Sequence, residues 1–149
     1  MNKAQREYAK AKIAYRAAML AEAQVEKDWI ITNGYKNQDG SFPNCIFMLD
    51  CNEEDFDLIS AKLADDPEHQ KAYDALIEKE NALRAAEDNL IEYGLSIVPA
   101  GVAETLRKVK NEYKYRNQLI ETVMALDTRT VPTPTLEYLM KRPLKAENP

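Results

Sequence analysis

Two stretches of the chain after Pro67 carry apolar side chains at alternating spacings of four and three residues. This spacing gathers side chains into one stripe along an α-helix and is typical of helices that pack side by side. In the first stretch, from Pro67 to about Tyr93, the stripe consists of Ala72, Leu76, Lys79, Leu83, Ala86, Leu90 and Tyr93. In the second, from about Ala100 to Leu126, it consists of Val102, Leu106, Val109, Tyr113, Arg116, Ile120 and Val123.

The segment between these two stretches is short and holds Gly94 and Pro99, which break helices. A short connection between two matched helices predicts an antiparallel hairpin that turns at residues 96–97. Such a hairpin gives each polar stripe residue a carboxylate neighbour, with Arg116 near Glu78 and Lys79 near Glu112. Only four of the 149 residues are glycine, which further favours helices.

Residues 2–33 form a third predicted long helix. Its main apolar stripe is rich in alanine and tyrosine and consists of Ala4, Tyr8, Ala11, Tyr15, Ala18, Ala21, Val25 and Trp29. A second stripe on the far side holds Ile13, Ala17 and Leu20, so we expect this helix to contact two neighbours. Asn33 and Gly34 end the helix, because glycine readily adopts the left-handed conformation of a helix terminus.

An irregular segment, residues 34–51, and a short acidic helix follow. The apolar run Cys45–Leu49 is bounded by turn residues and is either one short buried strand or a loop packed against the helices. Asn52 caps the short helix, whose first turn is acidic. Asp66 and Pro67 then begin the next helix as its N-cap and first helical residue.

These elements predict an all-α fold. We expect an elongated antiparallel bundle of three long helices, with a short acidic helix, one irregular loop and an extended C-terminal arm. Residues 1–127 are assigned to the bundle and residues 128–149 to a proline-containing tail, since Pro132 and Pro134 prevent a continuous helix there. A chain of this length buries a sizeable core without a disulfide or a metal ion.

The acidic side chains are concentrated in the middle of the chain. The net charge is −5, and residues 50–92 hold 14 acidic against 4 basic side chains. The simplest interpretation is a solvated surface of acid-rich helices. No apolar run is long enough to cross a bilayer and no export signal precedes the first helix, so we expect a cytoplasmic protein that binds no membrane.

No residue pattern in the chain identifies a reactive site. The only histidine, His69, follows Asp66 by three residues, but a di-iron bundle needs two such pairs and two further glutamates. Cys45 and Cys51 lack the spacing of a redox pair or a zinc knuckle. Phosphate-binding glycine loops and nucleophile elbows are also missing from the sequence. We therefore expect no metal, no cofactor and no enzymatic activity.

Three surfaces are candidates for binding a partner. The first is a basic outer face of the last long helix, formed by Arg107, Lys108, Asn111, Lys114, Tyr115 and Gln118. The second is a tail segment that docks in a groove or packs on its own bundle; its apolar residues are Leu136, Tyr138, Leu139 and Met140. The third is an apolar strip that meets the first helix or forms a homodimer, and it consists of Tyr73, Ile77 and Ile91.

Strong packing patterns without a reactive constellation favour a non-enzymatic protein–protein interaction module. An adaptor, an assembly factor or a small inhibitor fits this description, acting through helix faces and the C-terminal arm on another protein. The first alternative is a nucleic-acid-binding protein that uses the basic outer face, and the second is an enzyme with an unrecognised carboxylate or thiol site.

Overall fold

All regular secondary structure in residues 1–126, the part of the chain that the computed structural model describes, is helical. Its elements are α1 (Lys3–Asn33), a 3-10 turn (Ile46–Met48), α2 (Glu53–Ala64), α3 (Pro67–Ser96), α4 (Ala100–Val109) and α5 (Tyr113–Met124). The predicted all-α fold is confirmed, and α1 and α3 are long helices of 31 and 30 residues. Among these helices none combines the length and the apolar character that a bilayer span requires.

The chain divides into two compact units, and each unit contains part of α1 and part of α3. Of the described residues, the terminal unit comprises Met1–Ala11 and Ala82–Leu126, and the central unit comprises Lys12–Asn81. In the terminal unit the start of α1 packs on the end of α3, whereas in the central unit later residues of α1 meet the start of α3. The two long helices are therefore antiparallel, as predicted.

The prediction of one long helix from Ala100 to Leu126 is wrong. The chain forms two short helices instead, and α4 and α5 are separated at residues 110–112. Both Leu106 and Leu119 reach the buried cluster around Leu90. On one straight helix these two leucines would lie about 20 Å apart along α3, because each residue advances a helix by about 1.5 Å. The turn between α4 and α5 therefore lets both helices bury their apolar faces in one place.

The predicted pairing of Arg116 with Glu78 is also wrong. Arg116 Nη2 lies 3.1 Å from Glu87 Oε2 and 2.9 Å from Asp88 Oδ1. The residue pairs Glu87–Arg116 and Gly94–Val123 are both separated by 29 positions in sequence. A constant separation means that α5 runs parallel to the end of α3, rather than antiparallel as a single hairpin requires.

Gly94 lies inside α3 and does not break it. Its missing side chain matters for packing, because a Cβ atom at this position would lie 2.5 Å from Cγ2 of Val123. Glycine therefore lets α5 approach α3 closely. The buried cluster that results consists of Leu90, Ile91, Leu95, Val98, Val102, Ala103, Leu106, Leu119, Ile120, Val123 and Leu126.

The central unit has its own smaller core, formed by Ile30 of α1, Ile46 of the 3-10 turn, and Ile59 and Leu63 of α2. The run Cys45–Leu49 therefore packs through a 3-10 turn, and no strand occurs within residues 1–126.

Both predicted helix caps of the central unit are confirmed. Asn52 Oδ1 accepts a hydrogen bond from the backbone N–H of Asp55 at 2.8 Å, which caps the start of α2. Asp66 Oδ2 accepts from the backbone N–H of His69 at 2.9 Å, which caps the start of α3. These caps satisfy backbone donors that a helix leaves unpaired in its first turn.

Candidate interaction face and carboxylate–histidine cluster

An apolar stripe on α1 in the central unit is exposed to solvent. Ile13 is 71% exposed and Leu20 is 66% exposed, and Ile31 is also exposed. At about 100° per residue, positions 13, 20 and 31 point in nearly the same direction. We call Ile13, Leu20 and Ile31 the outer stripe. The expectation that a second neighbouring helix covers Ile13, Ala17 and Leu20 is wrong, because all three are exposed.

The outer stripe points away from α3. Glu22 of α1 contacts His69 of α3, with 2.9 Å between Glu22 Oε1 and His69 Nε2. Ile13 precedes Glu22 by nine residues, which is two and a half helical turns, so the two side chains lie on opposite sides of α1. The stripe thus belongs to the face of α1 that α3 leaves uncovered.

The two flanks of the outer stripe differ in charge. Helical geometry places Arg16 and Lys27 on one flank, about 20° apart around the α1 axis. Gln24 and Asp28 lie toward the other flank, where Gln24 Nε2 donates a hydrogen bond to Asp28 Oδ1 at 2.9 Å. Within the central unit, one edge of the apolar stripe is therefore basic, and the other is polar and acidic.

The predicted basic outer face does not form one continuous helix surface. Arg107 and Lys108 lie on α4, Asn111 lies in the turn, and α5 carries the rest, namely Lys114, Tyr115 and Gln118. Arg107 also pairs with Glu92, at 3.5 Å between Nη2 and Oε2. Its positive charge is thus partly balanced within the terminal unit.

Arg116, beside this region, has its charge balanced by two carboxylates. Burial disfavours the charged guanidinium, but the hydrogen bonds from Arg116 to Asp88 and Glu87 and the attraction of their negative charges together outweigh burial and raise its pKa above the ordinary value. These residues line a surface cavity of about 480 Å³ next to Asn111. The positive charge at this cavity, the guanidinium of Arg116, is thus already paired with two carboxylates of the same unit.

The other two predicted binding surfaces are the tail segment and the apolar strip of α3. The tail residues Leu136, Tyr138, Leu139 and Met140 lie outside the described part of the chain. In the apolar strip of α3, Ile91 is buried in the terminal unit, whereas Tyr73 and Ile77 are exposed in the central unit.

The central unit also gathers a cluster that sequence reasoning missed. Glu22, Glu26 and His69 each offer one possible metal-binding atom, and these three atoms lie within 4.8 Å of one another. The side chains of His69 and Glu22 are only 13% and 18% exposed. Glu26 Oε1 accepts a hydrogen bond from the backbone N–H of Ile46 at 3.0 Å, which fixes the orientation of that carboxylate.

A partial signal for this cluster is present in the sequence. Glu22 and Glu26 are four residues apart, so both carboxylates lie on one side of a helix, near the side that carries Tyr15, Ala18 and Trp29. The missing information was the alignment of α1 with α3, which brings His69 to them across 47 residues of sequence.

Comparison with known proteins found no matching family model, no similar curated protein and no similar solved structure.

Proposed function

We propose that this chain is a non-enzymatic protein-interaction module and that its outer stripe binds an amphipathic helix of another protein. The observation that carries the proposal is the exposure of Ile13 and Leu20 on one face of a long, regular helix. Single exposed apolar residues are common on protein surfaces. Large apolar side chains aligned along one helix face are typical of a contact surface.

Charge indicates which helix fits. Because Arg16 and Lys27 share one flank of the stripe, a partner helix gains favourable contacts when its own apolar stripe has acidic residues along the facing edge. A second copy of this chain fits less well as an antiparallel pair. In a symmetric antiparallel pair, a twofold axis perpendicular to the helices brings each flank against itself, so Arg16 and Lys27 would face the same cations.

A site-specific cross-linking experiment tests this proposal. A photoreactive amino acid at position 17, between Ile13 and Leu20, should form a defined adduct in the native host with a protein that has an acidic amphipathic helix. The same amino acid at position 71, exposed on α3 in the central unit, serves as the positional control and should not form this adduct.

Two matched substitutions then measure the contribution of the stripe. Leu20→Asp should weaken binding of the purified partner by at least about tenfold, since it places a charge in the apolar contact. Leu58→Asp introduces the same change at a leucine that is 59% exposed on α2, and should change the affinity less than about twofold. Isothermal titration calorimetry measures both.

Other outcomes contradict the proposal. An adduct between two copies of the chain indicates the homodimer instead. Nucleic acid bound with a steep salt dependence through Arg107, Lys108 and Lys114 supports the first alternative. Equal affinity for Leu20→Asp and Leu58→Asp shows that the outer stripe is not the contact surface.

A further inference from the structure

The cluster of Glu22, Glu26 and His69 has the composition of a metal site. It offers one imidazole nitrogen and two carboxylate oxygens, contributed by two different helices of the central unit. Structural ion pairs need only one carboxylate for one histidine. Here a second carboxylate, from Glu26, lies one helical turn from the first and on the same side of α1.

We propose that these three residues bind one Zn²⁺ ion. His69 supplies Nε2, and Glu22 and Glu26 supply one carboxylate oxygen each. Three protein ligands leave the fourth tetrahedral position for water, as in zinc sites that are open to solvent. Imidazole nitrogen favours zinc over the harder Mg²⁺ and Ca²⁺ ions, which prefer oxygen ligands alone.

The distance between His69 and Glu22 requires little movement of these two side chains. In a tetrahedral zinc site with metal–ligand distances of about 2.0–2.1 Å, neighbouring ligand atoms lie about 3.3 Å apart. The distance from His69 Nε2 to Glu22 Oε1 is 2.9 Å. A small rotation of either side chain therefore opens enough space for the ion between these two atoms.

Surrounding hydrogen bonds hold the ligands in place. Because the backbone N–H of Ile46 engages Oε1 of Glu26, the other oxygen of that carboxylate is oriented by a fixed partner. Asp66 accepts a hydrogen bond from the backbone N–H of His69, which holds the first turn of α3 and with it the imidazole. The hydrogen bond to the Glu26 carboxylate is of the kind that orients metal ligands in proteins and strengthens metal binding.

Zinc titration of the full chain tests the assignment. In competition with a coloured chelator, the protein should bind one Zn²⁺ ion, and excess Mg²⁺ should not displace it. His69→Gln and Glu26→Gln should each weaken Zn²⁺ binding by more than about tenfold. Glu26→Gln keeps an oxygen that accepts from Ile46, so the local fold is preserved, and circular dichroism checks it.

A matched control separates this site from general attraction of cations to carboxylates. Asp74 and Glu78 on α3 have the same four-residue spacing and are exposed. The double substitution Asp74→Asn/Glu78→Gln removes the same charge as a Glu22→Gln/Glu26→Gln pair. It should leave the affinity for Zn²⁺ within about twofold of the original value.

Nuclear magnetic resonance gives a second readout, because the chain contains a single histidine. Zinc on Nε2 should fix the imidazole as the tautomer protonated at Nδ1 and shift the Nε2 resonance of His69. Zinc affinity that is equal in the Glu26→Gln variant and the original chain, or an unchanged His69 spectrum at saturating Zn²⁺, overturns the proposal.

Discussion

The side-chain amide of Gln5, near the start of α1, donates hydrogen bonds to the main-chain carbonyl of Val123 at 2.9 Å and to that of Leu126 at 3.0 Å. Gln5 is fully buried in the terminal unit. Its Oε1 accepts from the backbone N–H of Asn2, and its own backbone N–H donates to Asn2 Oδ1. Asn2 and Gln5 thus cap the start of α1 together, and Gln5 also satisfies carbonyls at the end of α5.

Replacing this glutamine should destabilise the terminal unit. Gln5→Ala removes both donors and leaves the buried carbonyls of Val123 and Leu126 without this partner, so we expect a loss of about 1–3 kcal/mol in the free energy of unfolding. Chemical denaturation followed by circular dichroism measures it. Gln24→Ala on the exposed side of α1 is the control and should cost less than about 0.5 kcal/mol. Equal losses of unfolding free energy in the two variants would show that the hydrogen bonds from Gln5 to Val123 and Leu126 do not stabilise the unit.

Gly94 should not tolerate even a methyl group. In an open helix, Gly→Ala stabilises by up to about 1 kcal/mol, because alanine has the higher helix propensity. At Gly94 the added Cβ would overlap Cγ2 of Val123, so we expect Gly94→Ala to destabilise by about 1–3 kcal/mol. Thermal unfolding measures the sign as well as the size of the change.

Two further variants identify the overlap as the cause. Gly101→Ala lies on α4, where an added Cβ has no neighbour within 4 Å, and should stabilise by about 0.4–1 kcal/mol. Val123→Ala removes the overlapping methyl groups, so Gly94→Ala should cost less in that background than alone. If Gly94→Ala destabilises the Val123→Ala variant as much as it destabilises the original chain, the Gly94–Val123 contact is not the reason.

The apolar periodicity predicted the positions of the helices in the sequence better than it predicted which helices pack together. A stripe of spaced apolar residues shows that one face is buried, but several partners can bury it. In α3 the stripe residue Leu90 is fully buried, whereas Leu76 and Leu83 are only partly buried. The turn at residues 110–112 contains neither proline nor glycine. Asn111 is therefore the one local signal for it, and burial of Leu106 and Leu119 in one cluster favours the turn.

For the candidate sites too, the sequence showed which residues stand out but not what surrounds them in the fold. Hydrophobic spacing alone singled out Ile13 and Leu20 as a stripe on the far side of α1, but only the three-dimensional arrangement showed that the stripe is uncovered. The sequence places Asp66 three residues before His69, but it does not show which distant carboxylates the imidazole meets. They lie on another helix, because antiparallel packing of α1 and α3 joins residues that are distant along the chain.

The ion pairs of Arg116 should contribute more to stability than those of Arg107. Arg116 and Glu87 are 18% and 21% exposed, and Arg116 donates to Glu87 through both Nε and Nη2. Arg116→Ala leaves a mostly buried carboxylate without its cation, so we expect a loss of about 1–3 kcal/mol. Arg107 and Glu92 are about half exposed, and Arg107→Ala should cost less than about 0.5 kcal/mol.

Lysine at position 116 provides the internal comparison. Arg116→Lys keeps the charge but loses the planar group that donates two hydrogen bonds to Glu87. Its loss in the free energy of unfolding should therefore lie between the losses for Arg107→Ala and Arg116→Ala. Urea denaturation at low and moderate salt measures all three variants. If Arg107→Ala were the most damaging, the arrangement of α5 beside α3 would be wrong.

The turn at Asp39 should respond to pH through Ser41. Ser41 Oγ donates to Asp39 Oδ1 at 2.6 Å, and the backbone N–H of Ser41 donates to the same oxygen at 2.9 Å. Both bonds favour the charged carboxylate, the side-chain bond most strongly, and together they hold the pKa of Asp39 below its ordinary value. Any stability that they give is present near neutral pH and is lost as the pH falls through the lowered pKa.

Removing the Ser41 hydroxyl should therefore raise the pKa of Asp39 toward its ordinary value. The shift in Ser41→Ala should be partial, because the backbone N–H of Ser41 still donates to the carboxylate. Titration of the Asp39 carboxyl carbon by nuclear magnetic resonance measures the midpoint. Ser60→Ala on α2 is the control and should leave that midpoint in place. A Ser41→Ala midpoint equal to the original one, or lower, would show that the hydroxyl does not stabilise the charged form.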